Sequence, residues 1–361
     1  MKRPSLILPI PSRRWSMFAL LFAVLAQAGA NDDTAPPAAL PALGATTEML
    51  TVSGLSSGGF MAVQMQVAHS ALVRGAGVLA GGGYYCARNS VFNTSDCMAP
   101  GDSILFPAPP VSRLIAEAET QGRLKAIDPP ENLRRQRVWL LSGSGDRTVT
   151  TKAVDLLRDF YRNWTPAAAL AYAHVPTAGH ALIQPDAPDG NDCPVTAPPY
   201  INRCGDFDAP GQLLAHLLGD LQPKSTQPQG RLIPFAQFDF TGGSIETRLS
   251  GLAKTGHVYV PQACERGGCR VHVVFHGCQQ NEETLGLTFI DESGYNRWAD
   301  SNRLVVLYPQ IARQSSFWPN VNNPKGCWDW WGYSGADYHV KQGKQIAAVK
   351  AMIDRITQPL P

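Results

Sequence analysis

From residue 48 onward, short apolar runs alternate with amphipathic stretches. Glu48–Ser53 reads as a strand, and Phe60–His69 carries apolar residues at helical spacing. Ala76–Ala80 and Val138–Gly143 are compact apolar runs of strand length, the second ending in a Gly/Ser turn. Val154–Tyr161 has the polar and apolar faces of a helix, and Leu170–Val175 is strand-like. Residues 221–235, rich in Gln, Pro and Ser, read as a connector. Val271–Phe275 and Leu304–Tyr308 then resume the strands, and Val340–Ile356 reads as a long amphipathic helix. Strands alternating with helices predict a parallel α/β sheet flanked by helices.

The first thirty residues follow a different pattern. Met17–Ala26 is an apolar run behind a basic segment with Lys2, Arg3, Arg13 and Arg14. Ala26-Gln27-Ala28 and Ala28-Gly29-Ala30 both fit a small-x-small cleavage site. Residues 1–30 therefore read as a signal peptide, and the run is short for a membrane span of about 20 residues. Residues 31–47 are Ala/Pro-rich and read as a flexible segment. Residues 48–361 read as one domain with no repeats and no appended module.

Composition narrows the class. The chain has 361 residues, 44% hydrophobic and 17% charged, which excludes a disordered chain, a collagen and a coiled coil. The net charge of +2 owes four basic residues to the leader and becomes −2 without it. No strong field points to nucleic acid. After cleavage no membrane contact is expected, and the protein is expected to be monomeric and secreted or periplasmic.

In such a compartment the eight cysteines read as four disulfides. They fall in local pairs, Cys86–Cys97, Cys193–Cys204, Cys264–Cys269 and Cys278–Cys327, one among many connectivities that eight cysteines allow. Cys264, Cys269 and Cys278 could also suggest zinc. Without a second tight pair or interleaved histidines, that reading ranks below disulfides.

Gly54-Leu55-Ser56-Ser57-Gly58 matches G-x-S-x-G, with a strand before it and a helix after it. A serine on such a turn needs small neighbours, and its following amide faces a developing oxyanion. A serine nucleophile also needs a base and an acid, in the chain order Ser, acid, His. Asp146, just past the strand Val138–Gly143, fits the acid. His180, in Ala178-Gly179-His180 after Leu170–Val175, fits the base. His174 is the rival base, read as a packed core histidine. Asp186, Asp189 and Asp192 follow His180 and break the order.

The His-Gly loop that supplies a second oxyanion amide normally precedes the nucleophile. Here Val271–Phe275 leads into His276-Gly277-Cys278, after the whole triad. Joining residue 356 back to residue 48 restores the ordinary order. The pattern thus predicts a circularly permuted α/β-hydrolase with one mostly parallel sheet.

Together, Gly54–Met61, the Asp146 turn, the His180 turn, His276-Gly277-Cys278-Gln279-Gln280 and Cys327–Tyr333 resemble poly(3-hydroxybutyrate) depolymerases. The resemblance is to the type whose serine motif lies near the N-terminus, and it covers residues 48–358. It implies a serine esterase that cleaves poly(3-hydroxybutyrate) or a related polyhydroxyalkanoate through an acyl-enzyme, with no metal and no cofactor. It implies Ser56, Asp146 and His180 as triad and the backbone N–H groups of Ser57 and Cys278 as oxyanion hole. Trp328, Trp330, Trp331 and Tyr333 suggest an apolar wall. Trp331 is the first choice for substrate contact, with Trp330 and Tyr85 after it. The rivals are a feruloyl- or acetyl-ester carboxylesterase, a 3-hydroxybutyrate-oligomer hydrolase and a non-catalytic polymer-binding protein.

Overall fold

The structure, a computed structural model, describes residues 37–101, 104, 105, 107–315 and 322–361. The expected signal peptide lies outside these residues. Pro37–Pro361 forms one compact unit. Its centre is an eight-stranded sheet built from β1 (Thr46–Leu55), β2 (Gly75–Leu79), β3 (Arg137–Gly143), β4 (Leu170–Val175), β5 (Arg231–Ala236), β6 (Thr255–Val260), β7 (Arg270–Phe275) and β8 (Leu304–Tyr308). Their order across the sheet is β4-β3-β2-β1-β7-β8-β6-β5. Only β6 runs against its neighbours.

Apolar runs of this kind belong in the middle of a covered parallel sheet. Leu50, Val52, Val78, Val138, Val271, Val273 and Val306 are all buried. Removing each such side chain from water contributes about 1.5–3 kcal/mol. The principal helices are α1 (Ser57–Ala68), α2 (Val111–Arg123), α3 (Thr151–Arg162), α4 (Ala209–Leu218), α5 (Tyr295–Asn302) and α6 (Lys344–Ile356). On α3, Val154, Leu157 and Phe160 form the buried stripe that the spacing predicts.

The sheet joins the two halves of the sequence at its middle. β1 pairs in parallel with β2 on one side and with β7 on the other. The C-terminal end of α6 lies against the entry to β1. The amides of Leu43 and Ala45 donate to the Ile356 carbonyl at 3.1 Å, and Gly44 donates to that of Gln358 at 2.9 Å. A chain joined there would run from α6 directly into β1, which is the circular permutation expected from motif order.

Two boundaries differ from expectation. Residues 37–47 are not a frayed start, because Leu40, Leu43 and Ala45 are buried and β1 begins at Thr46. The connector ends by residue 230, because Arg231–Ala236 forms the edge strand β5. The run Gln222–Gly230 made the whole segment read as connector; Pro234 is accommodated because an edge strand tolerates a residue with no amide to donate.

The middle of the sheet also holds a neutral polar network. His272 Nδ1 lies 2.8 Å from Thr51 Oγ1, and its Nε2 lies 2.8 Å from Ser53 Oγ, which also meets the Tyr295 hydroxyl at 2.8 Å. Burial lowers the pKa of His272 to about 3, and those of His69, His276 and His339 to about 4. These groups are neutral when folded but take up a proton near pH 6.5 when unfolded. The unfolded state therefore binds more protons below that pH. Urea unfolding at pH 7, 6 and 5 should show stability falling by several kcal/mol between pH 6.5 and 4. A flat profile over that window would contradict neutral burial of these histidines.

Candidate active site

β1 ends at Leu55 and α1 starts at Ser57, so Ser56 sits alone on the turn between them. Its φ of 56° and ψ of −122° lie in a region that non-glycine residues rarely enter. Both flanking glycines are required by space. A Cβ on Gly54 would lie 2.3 Å from the Gly58 carbonyl oxygen, and one on Gly58 would lie 2.2 Å from that of Phe275. The turn is held by the Ser56 amide donating to the Leu79 carbonyl at 2.9 Å. The Ser57 amide falls in the first turn of α1, where no intrahelical acceptor exists.

Asp146 and His180 come from the loops after β3 and β4. Asp146 Oδ1 accepts the amides of Thr148 at 2.8 Å and Val149 at 2.9 Å, which fixes the carboxylate. Its Oδ2 meets His180 Nδ1 at 2.7 Å. A carboxylate only accepts, so Nδ1 carries the proton and Nε2 is left as a base. The His180 amide donates to Thr196 Oγ1 at 2.9 Å, and the Cys193–Cys204 disulfide closes the same loop. Both side chains are buried, and His180 lines the same pocket as Ser56.

The third element is the loop after β7. His276 donates from Nδ1 to the Gly277 carbonyl at 2.8 Å and accepts the Ile311 amide on Nε2 at 3.1 Å. It is a buried structural histidine with its lowered pKa already noted. Gln280 Oε1 accepts the Gly277 amide at 2.7 Å, while its Nε2 donates to the carbonyls of Pro199 and Tyr200 at 3.0 and 3.1 Å. The Gln279 amide donates to the Lys325 carbonyl at 2.7 Å. Cys278 is thus tethered on both sides and is covalently joined to Cys327.

Ser56, Ser57, His180 and Cys278 line one pocket of about 450 Å³. Leu55, Phe60, Met98, Trp330 and Trp331 supply much of its apolar wall. Trp330 stacks on Phe60 with ring centroids 4.1 Å apart, and Trp331 meets Trp330 edge-on at 5.6 Å. Behind them lies Asp329, buried in the loop. Its Oδ1 accepts the amides of Trp331, Gly332 and Tyr333, and its Oδ2 accepts the amide and hydroxyl of Ser334. Burial nevertheless raises its pKa above the ordinary carboxylate value, against the pull of these bonds.

No family model matches the chain. Two curated proteins do. A poly(3-hydroxybutyrate) depolymerase from Delftia acidovorans is 44% identical over 325 residues, covering 88% of this chain and 61% of that protein. A polyhydroxybutyrate depolymerase from Talaromyces funiculosus is 34% identical over 330 residues, covering 88% of this chain and 92% of that protein. The chain belongs to the poly(3-hydroxybutyrate) depolymerase family. Its match spans about three fifths of the Delftia relative. Two solved depolymerase structures share its fold at 32% identity, each covered in full and covering 90% of this chain. One is a variant complexed with an R3HB trimer, at a TM-score of 0.81. The other is from Penicillium funiculosum, at 0.80.

In this depolymerase-family chain the four disulfides are Cys86–Cys97, Cys193–Cys204, Cys264–Cys269 and Cys278–Cys327. They use every cysteine and leave no thiol for zinc. Four disulfides fit an oxidising compartment. Among the described residues no helix is long and apolar enough to cross a membrane.

Two expected residues lie elsewhere. Tyr85 is not on the pocket of Ser56 and His180; it stacks on His339 at 3.9 Å and lines a separate cavity. Its neighbour Cys86 belongs to the packing behind Trp330, so proximity in sequence misled. His174 is exposed rather than packed in the core. It sits on the sheet's edge strand and meets Ser142 Oγ at 3.0 Å. Trp328 is fully buried, and the Tyr333 hydroxyl donates to the Cys327 carbonyl at 2.7 Å, so both are structural.

Sequence reasoning did not name Thr196, and it quoted Phe60, Gln280 and Asp329 within motifs without giving them a role. Phe60 entered as a helical apolar position and as part of the Gly54–Met61 motif, not as pocket wall. Thr196 and Gln280 act on backbone groups that the fold brings together from distant loops, whereas Asp329 collects the amides of the residues that directly follow it. Asp329→Ala would leave four amides without their acceptor, at roughly 1–3 kcal/mol for each that stays buried. Urea unfolding should show a loss of about 3 kcal/mol or more, with KM for an apolar ester raised as the tryptophan loop relaxes. A loss below about 1 kcal/mol would refute this positioning role.

Proposed function

We propose that this protein is a serine esterase that hydrolyses poly(3-hydroxybutyrate) or a related polyhydroxyalkanoate to soluble hydroxyacid oligomers and monomers. The observation that carries the reading is the Asp146–His180 hydrogen bond of 2.7 Å beside the strained Ser56, on a shared pocket with tryptophan walls. The relatives named depolymerases, and the neighbour holding an R3HB trimer, support the choice of ester.

Ser56 Oγ attacks the ester carbonyl carbon while His180 Nε2 takes its proton. Asp146 keeps the imidazole in the productive tautomer and stabilises the imidazolium. The amides of Ser57 and Cys278 take the negative charge of the tetrahedral oxygen; losing one such donor costs about 10²–10³ in turnover. His180 returns the proton to the departing alkoxide. Water, activated by the same histidine, then releases the acyl group from Ser56. The apolar wall of Phe60, Trp330 and Trp331 suits a chain of aliphatic ester units. The reading places the mature protein outside the cytoplasm, in the periplasm or the medium, after removal of residues 1–30.

The test is turbidity loss of amorphous and crystalline poly(3-hydroxybutyrate) granules. The mature protein should clear a suspension, and Ser56→Ala should not, with Asp146→Asn slowed by about 10⁴ as in other triads. Clearing by Ser56→Ala would remove Ser56 as nucleophile. Failure of the unaltered protein on both granule types and on R3HB oligomers would remove the depolymerase reading.

A further inference from the structure

We propose that Lys325 reads the free carboxylate end of a hydroxyacid oligomer and thereby selects which ester bond is cut. The inference rests on the esterase reading above. Lys325 lines the pocket together with Ser56, His180 and Cys278. It is the only Lys, Arg, Asp or Glu among the described residues that line it. The remaining described wall is apolar or carries neutral polar groups, so this ammonium is the formal positive charge on the lining.

The position of Lys325 is fixed while its side chain is free. Its carbonyl accepts the Gln279 amide at 2.7 Å. Two residues on, Cys327 is bonded to Cys278, and its amide donates to Asn323 Oδ1 at 2.9 Å. Between them Gly326 takes a φ of 58°, packed against the Asn281 side chain. The backbone of Lys325 is therefore tied to the same loop that carries the Cys278 amide. The residue itself is exposed, and no ion pair holds its ammonium among the described residues. A structural salt bridge does not account for it.

The chemistry of the substrate supplies the counter-charge. A polyester of hydroxyacids is neutral along its length and carries one carboxylate, at one end. When Ser56 attacks an ester, the acyl part stays on the serine and bears the hydroxyl end. The alkoxide part leaves and bears the carboxyl end. An ammonium near the pocket that holds that carboxylate would fix the direction of the chain and the number of units departing with it. Long neutral polymer would gain nothing from this contact, whereas short oligomers would.

The experiment compares the R3HB trimer as free acid with the same trimer capped as its methyl ester. Kcat/KM is measured for the unaltered protein, Lys325→Gln and Lys325→Arg. An exposed cation–carboxylate contact should favour the free acid by about two- to fivefold. Lys325→Gln should bring the two substrates to parity, Lys325→Arg should keep the preference, and about 0.5 M NaCl should erase it. Equal rates on both trimers by the unaltered protein overturn the proposal and leave the esterase reading intact. So does a preference for the acid that survives in Lys325→Gln. Cleavage of neither trimer overturns the proposal, and together with failure on both granule types it overturns the esterase reading too.

Discussion

The structure turns on a place where backbone meets backbone with no room for a side-chain carbon. The elbow around Ser56 presses against the end of β7, and the spaces at Gly54 and Gly58 are filled by carbonyl oxygens of Gly58, Phe275 and His276. This contact holds the left-handed Ser56 in its strained turn. It also joins segments more than two hundred residues apart, so Ser56 and the Cys278 loop share one rigid origin. The pairing of Gly54 with Phe275 across the sheet continues the same contact into the ladder. A larger residue at either glycine would move the serine and the oxyanion loop apart together.

That contact also explains why the order of the chain can be permuted at so little structural cost. The sheet needs β1 between β2 and β7, but it does not need β7 to precede β1 in sequence. The hydrogen bonds from Leu43, Gly44 and Ala45 to the end of α6 close the gap that the permutation opened. Disulfides hold the irregular loops instead of the sheet. Cys193–Cys204 closes the segment after His180, and Cys278–Cys327 ties the loop after β7 to the tryptophan segment. The sheet supplies the frame through apolar burial, and covalent links steady the long loops that burial alone reaches poorly.

Most of the frame was legible because it is written in local patterns. Apolar runs marked the central strands, the glycines around Ser56 marked the elbow, and motif order exposed the permutation. Asp146 and His180 were found because their loops follow strands. What escaped was decided by tertiary neighbours. Arg231–Ala236 looks like linker until an edge position excuses Pro234. His174 and His272 both lie in strand-like runs, yet one is on an exposed edge strand and the other in the buried centre. Tyr85 stands beside Cys86 in sequence but stacks on His339 and is not on the pocket of Ser56.

Two buried carboxylates show how one device serves two ends. Asp146 and Asp329 each fold the loop that follows them by accepting its amides, and charge-assisted bonds of this kind are worth about 1.5–3 kcal/mol each. Asp329 spends both oxygens on its own loop, so its charge is consumed in shaping the platform for Trp330 and Trp331. Asp146 spends one oxygen on the loop and keeps the other for His180. The first arrangement is closed and can only hold a surface in place. The second is open at one oxygen, and through the imidazole it reaches a pocket where charge can develop. In sequence Asp146 stands in a Gly/Ser turn and Asp329 among tryptophans, and neither setting states what the carboxylate holds. Their hydrogen-bond partners separate the residue that positions a wall from the one that orients a base.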